Sequence, residues 1–202
     1  MIKKIIFVLG LVVSASSFAQ AEKFSGASIG LNTGFNSETS NVNLDTTQSG
    51  ELVQLGGQNT PFDINASYVL AISNNATLGL GINYDLSSNK LLVGSKNTGL
   101  NSITSTLKNH YSLNIEPGYA FNDSLLGYVK LAYHAAKLTT SSLTVNPSLT
   151  GFGYGLGARY LLDKNLYLNL EIQTVTYTTG KVSTKTFQNN SLFSAVGIGY
   201  KF

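Results

Sequence analysis

Every second residue from Leu192 to the chain end, namely Leu192, Ser194, Val196, Ile198, Tyr200 and Phe202, belongs to one mostly apolar column, while Ala195, Gly197, Gly199 and Lys201 between them are small or polar. A period of two marks an extended strand whose faces meet different surroundings. Near the start, Ala27, Ile29, Leu31, Thr33 and Phe35 oppose Gly26, Ser28, Gly30, Asn32 and Gly34 in the same way. The split recurs over Phe62 to Ile72, Leu78 to Leu86, Leu107 to Tyr119, Val129 to Ala135, Phe152 to Tyr160 and Leu166 to Ile172, which makes eight segments.

The placement of charge decides which face points outward. Lys108, Glu116, Lys130, Arg159 and Glu171 all fall on the Gly- and Asn-rich face, and no charge interrupts the apolar columns. In a closed barrel of eight strands the interior is just wide enough for side chains to fill. Small residues with a few long polar ones suit that interior, and the bulky columns then face lipid. The expected fold is therefore all-β, an eight-stranded antiparallel up-and-down transmembrane β-barrel. A soluble ligand-binding barrel would need the reverse, with the bulky columns packed inside.

The first twenty-one residues read as an export signal. Lys3 and Lys4 make the basic region, Ile5 to Val13 the apolar region, and Ala19-Gln20-Ala21 the small residues of a peptidase site. Cleavage is expected after Ala21, with Ala19 as the other position. This leaves a single domain over residues 22–202. A retained anchor would need a longer apolar run, about 20 residues. The formal net charge is +3, to which the two signal lysines contribute, so nothing favours nucleic-acid binding. The chain contains no cysteine, which removes disulfides, thiolate metal sites and cysteine nucleophiles.

The connectors alternate in length. Ser73 to Asn75, Phe121 to Ser124 and Asp163 to Asn165 are short, whereas Asn36 to Pro61, Ser87 to Thr106, Leu138 to Gly151 and Gly180 to Ser191 are long. An outer-membrane meander has short periplasmic turns and long external loops, so both termini are expected in the periplasm. Tyr119, Tyr160, Tyr200 and Phe202 near one end of the strands, and Phe35, Phe62, Tyr84, Tyr133 and Phe152 near the other, match two interfacial girdles.

The stretches Glu116-Pro117-Gly118-Tyr119-Ala120-Phe121-Asn122-Asp123, Gly155-Leu156-Gly157-Ala158-Arg159-Tyr160 and Gly197-Ile198-Gly199-Tyr200-Lys201-Phe202 resemble the small eight-stranded outer-membrane barrels of the OmpX/Ail-like, opacity-protein-like and OmpA-barrel group. The resemblance spans the whole chain after the signal. It implies location in the outer membrane of a Gram-negative bacterium, and a final strand, with Tyr200 and Phe202, that serves as the signal for the β-barrel assembly machinery. It implies no single task, because the group includes adhesins, structural proteins and porin-like barrels.

Inside the barrel, the hairpin registers place Glu116 opposite Lys130, and Arg159 opposite Glu171 or one diagonal step away. Such pairs neutralise ions that would be costly to bury alone. They form a structural plug or, alternatively, the gate of a narrow pore. His110, Ser112 and Glu116 share one face and raise the possibility of a lipid A hydrolase. A lipid ester would not reach residues in the lumen, so no catalytic residue is assigned. Among the external segments, the first carries Glu38, Asp45 and Glu51, the second Lys90 and Lys96, and the fourth Lys181 and Lys185. These lysines could meet the phosphates of lipopolysaccharide or an acidic surface.

The expected function is non-enzymatic, in envelope integrity or surface interaction. Expected partners are outer-membrane lipid and lipopolysaccharide, the assembly machinery and an external surface ligand, with no nucleic acid, cofactor or metal, and the chain is expected to act as a monomer.

Overall fold

The computed structural model describes residues 20–43, 52–93, 103–140, 148–178 and 187–202. The expected Asp45, Glu51, Lys96, Lys181 and Lys185, and residues 1–19 of the signal, with Ala19, lie outside them. After one 3-10 turn, Ala21–Phe24, come β1 (Gly26–Asn43), β2 (Leu52–Asn59), β3 (Phe62–Ala71), β4 (Ala76–Asp85), β5 (Asn89–Val93), β6 (Ile103–Ala120), β7 (Leu125–Thr140), β8 (Ser148–Leu161), β9 (Leu166–Thr178) and β10 (Phe187–Lys201).

Ten strands make eight staves. β2 and β3 both pair with β1, at Asn36↔Asn59 and Thr33↔Phe62, in one continuous register interrupted at Thr60-Pro61. A proline has no N–H to give a ladder, so the stave breaks there. β4 and β5 likewise both pair with β6. Every neighbouring pair is antiparallel, and β10 returns to β1 from Ser28↔Lys201 to Val42↔Phe187, which closes the barrel.

The outer wall carries the apolar columns in solvent-accessible positions, from Ile29, Leu31 and Phe35 on β1 round to Val196, Ile198 and Tyr200 on β10. Aromatic pairs meet edge to face at both heights: Tyr133 with Phe152 at 5.6 Å, and Tyr119 with Phe121 and Tyr200 with Phe202 at 5.4 and 5.3 Å. Both described chain ends lie at the short-turn end of the wall, where Phe202 N–H donates to the Ala27 carbonyl at 2.9 Å.

Three features differ from the sequence expectation. First, strand continues well into the expected external loops: β1 runs to Asn43, β2 begins at Leu52, and β6 begins at Ile103. Ser, Thr and Asn beyond the apolar belt show little polarity contrast, so period two is invisible there although the ladder persists. Second, Glu38 is no loop residue. It is 4 % exposed on the inner face of β1 and accepts from the Asn36 side-chain amide at 2.8 Å. Third, the register of β6 against β7 shifts between Lys108 and Tyr111, with Asn109 at φ 51°. Asparagine tolerates that left-handed conformation better than most residues. A bulge adds one residue and reverses the facing beyond it. Leu107 is therefore buried inside and Lys108 is exposed outside, the opposite of the expected assignment.

The short turns at Asn122 and Asp163 share one device. Asp163 Oδ1 accepts the Asn165 and Leu166 N–H groups at 2.7 Å each, and Asn122 Oδ1 serves Ser124 and Leu125 at 2.9 Å. Such side chains mimic a backbone turn. The two N–H bonds hold the Asp163 carboxyl below its usual 3.8. A group lowered in the folded state stabilises fully above its unfolded value and loses that contribution as pH falls through the folded one. The difference in urea midpoint between wild type and Asp163→Asn should thus be constant well above pH 3.8 and shrink below it. A difference that grows on acidification would contradict the assignment.

Candidate functional site: the filled lumen

Alternation turns one residue in two inward on every stave, so the lumen is lined from all sides. At mid-height it holds an ionic network. Lys130, 2 % exposed, donates to Glu171 Oε2 at 2.8 Å and Oε1 at 3.1 Å, and lies 3.8 Å from Glu116 Oε1. Arg159 Nη2 donates to Glu116 Oε2 at 2.5 Å. Asn114 donates to the other oxygen of Glu116 at 2.6 Å.

The four charged residues expected inside are together, but the shortest contacts cross the hairpins. Lys130 sits opposite Gly155 and Glu171 opposite Gly157, one stave apart on either side of β8. With no side chain on those glycines, Lys130 reaches over β8 to Glu171. Arg159 turns away from β9 and runs across the Tyr128 ring, 4.9 Å from its centroid, to Glu116 on β6. Register fixes Cα neighbours, whereas long side chains in a closed lumen meet wherever the intervening stave leaves space.

Three lumen tyrosines, Tyr128, Tyr167 and Tyr177, were not singled out from the sequence. The Tyr128 hydroxyl donates to Glu171 at 2.6 Å and lies 2.8 Å from the Asn169 side-chain oxygen, and Tyr167 donates to Ser28 at 3.3 Å. The signal was present: Tyr128 shares the parity of Lys130, and Tyr167 that of Asn169 and Glu171. Aromatic bulk is associated with the outer column, and that association hides the parity.

Above the ionic layer the two histidines stack at 5.2 Å, with Phe193 stacked on His110 at 6.0 Å and Tyr177 edge-on to both. Hydrogen bonding orders them. The Gln173 amide nitrogen can only donate, so His134 Nε2 accepts at 3.0 Å. His134 Nδ1 then carries the proton and donates to His110 Nε2 at 2.9 Å. That leaves His110 Nδ1–H facing Asp85 Oδ2 at 3.8 Å. A cavity of about 50 Å³ lies beside this relay, lined by Asp63, Asn83, Ser112 and Glu171 among others. Leu107, Ala136, Leu149, Val175 and Tyr177 form an apolar layer towards the long-loop end.

This arrangement bears on the hydrolase alternative. Ser112 and Glu116 are 2 % and 4 % exposed, Glu116 is engaged by Arg159 and Asn114, and His110 turns to His134 and Tyr177. The three residues do not form a nucleophile–base–orienter chain in the contacts of the described residues. No group of three or more metal-ligating side chains occurs among the described residues.

Comparison with known proteins agrees with this architecture. The family model for the outer membrane protein β-barrel domain matches residues 5–202. No curated protein matches the sequence. Among solved structures, the outer membrane protein OprG from Pseudomonas aeruginosa is similar at 13 % identity and a TM-score of 0.54, over 88 % of this chain and 97 % of that one. Ail, the attachment invasion locus protein of Yersinia pestis, gives 17 % and 0.48, over 88 % and 99 %. The outer membrane protease OmpT from Escherichia coli gives 11 % and 0.49, over 88 % and 97 %. At 13 % identity the likeness to OprG is one of fold.

Proposed function

The chain belongs to the outer membrane protein β-barrel domain family, and from that premise we propose that it is a non-enzymatic surface-interaction barrel. In this reading the short turns and both termini face the periplasm, and the work is done by the wall that stands outside the membrane. The observation that carries the reading is the height of the wall: β1 runs to Asn43, β6 begins at Ile103 and β7 ends at Thr140, well past the apolar columns. The last bond between the staves of β3 and β4 runs from Leu86 N–H to the Phe62 carbonyl at 2.8 Å. Beyond it, among the described residues, β2 pairs with β1 and β5 with β6, and β2 and β5 lie side by side with no ladder assigned between them. Strand ends and loops outside the belt are where a barrel of this kind meets partners in the medium.

The filled lumen supports the same reading, since an interior crossed by ion pairs is built for rigidity. The apolar belt meets outer-membrane lipid and lipopolysaccharide. Tyr200 and Phe202, exposed at the short-turn rim, are the address for the β-barrel assembly machinery, and the barrel works as a monomer. Replacing residues 40–57 and 89–105 by short turns should leave surface levels and refolding in detergent intact. The same change should abolish any contribution of the protein to serum survival or attachment to protein-coated surfaces. Full retention of those phenotypes by the trimmed barrel would refute the reading.

A narrow pore is the second reading, favoured by the cavity beside the histidine relay. Stable unitary steps in planar bilayers that change on substitution of Lys130 or Arg159 would support it. Electrical silence would support the plug.

A further inference from the structure

The short-turn mouth of the barrel is closed by the chain's own N-terminal turn. Phe24, 4 % exposed, packs with Ala120 and Leu126, and Leu161 lies against this cluster. Ala21 is fully buried, and its N–H donates to the Asn74 carbonyl at 2.9 Å. The turn is anchored one residue earlier, at Gln20. Its carbonyl accepts the Lys23 N–H at 3.2 Å, and its carboxamide oxygen accepts from the Asn75 side chain. That Asn75 amide also donates to the Ala120 carbonyl at 2.9 Å, and Ala120 N–H returns to the Asn75 carbonyl at 2.7 Å. Gln20 and Ala21 are thus tied to the β3–β4 turn and to the end of β6.

We propose that signal peptidase cuts this chain after Ala19, so that Gln20 begins the mature protein and residues 20–24 are the stopper of the short-turn mouth. The proposal rests on the reading of the N-terminal segment as an export signal. Two sites satisfy the small-residue requirement, Ser17-Phe18-Ala19 and Ala19-Gln20-Ala21. Composition favours the second, but the fold distinguishes them. A cut after Ala21 would discard both anchoring residues and remove the donor of the Asn74 carbonyl. Buried polar groups keep partners in native structures, and the earlier cut preserves all of them. In the step itself, water hydrolyses the Ala19–Gln20 amide: the hydroxyl completes the Ala19 carboxyl of the leader, and the hydrogen goes to the Gln20 amine.

Intact mass and N-terminal sequencing of the full-length gene product extracted from outer membranes test the cut. The expected start is Gln20, either free or with its amine closed onto its own carboxamide with loss of ammonia. A start at Glu22 would overturn the proposal while leaving the export signal standing, and a start at Met1 would overturn both. The stopper role has its own test. Chains 20–202 and 22–202, refolded in the same detergent, should both form barrels, with the shorter one melting a few degrees lower. Equal melting temperatures would show that residues 20 and 21 do not take part in closing the barrel.

Discussion

Replacing Lys130 with methionine should lower the unfolding free energy by about 3–5 kcal/mol, the range for removing one partner of a buried ion pair. Lys130 is 2 % exposed and is the cation nearest Glu171, while Glu116 keeps Arg159. The loss therefore falls on Glu171, which would stay buried with a neutral donor, the Tyr128 hydroxyl, and no cation at hydrogen-bonding distance. The second replacement Glu171→Gln, made in the Lys130→Met background, removes the stranded charge and should recover most of the loss. Urea titration of the refolded barrel in lipid or detergent gives all four corners of the cycle. Independent, additive losses would mean that the two residues do not form one unit.

Adding a single methyl at Gly157 should cost about 1–3 kcal/mol through overpacking. A Cβ there would stand 2.2 Å from Tyr128 Cζ and 2.4 Å from its hydroxyl oxygen. The ring cannot move aside cheaply, because it lies under Arg159 and its hydroxyl is held by Asn169 and Glu171. Gly157→Ala should accordingly be milder in a Tyr128→Leu background than in the wild type, read by the same titration. An equal cost in both backgrounds would mean that the strain arises in the backbone of β8. Gly199 has the same relation to Tyr167, with Cζ at 2.1 Å, and Gly199→Ala provides a second instance on another stave.

The glycines explain why the lumen was only half legible. That Glu116, Lys130, Arg159 and Glu171 point inward follows from parity along each strand. That Lys130 prefers Glu171 does not, because the two lie on staves that never pair, and the path between them opens at Gly155 and Gly157. The histidine relay has the same origin. His110 and His134 read as lumen polar residues, yet their stacking depends on β6 and β7 being brought into register beyond the Asn109 bulge.

What the sequence determined by itself is the closed eight-stave wall, the apolar outer face, the polar inner face and the alternation of short and long connections. Apart from the final closure of β10 onto β1, each is a property of single strands and their neighbours in sequence, fixed by the two-residue pleat and by turn chemistry such as that of Asp163 and Asn122. What the tertiary structure alone decided is the pairing of charges across the lumen, the phase reversal that buries Leu107 and exposes Lys108, the inward seat of Glu38, and the closure of the mouth by Gln20 to Phe24. These depend on distances between segments far apart in the chain. Strand periodicity carries no information about such distances until the barrel closes and packing excludes the alternatives.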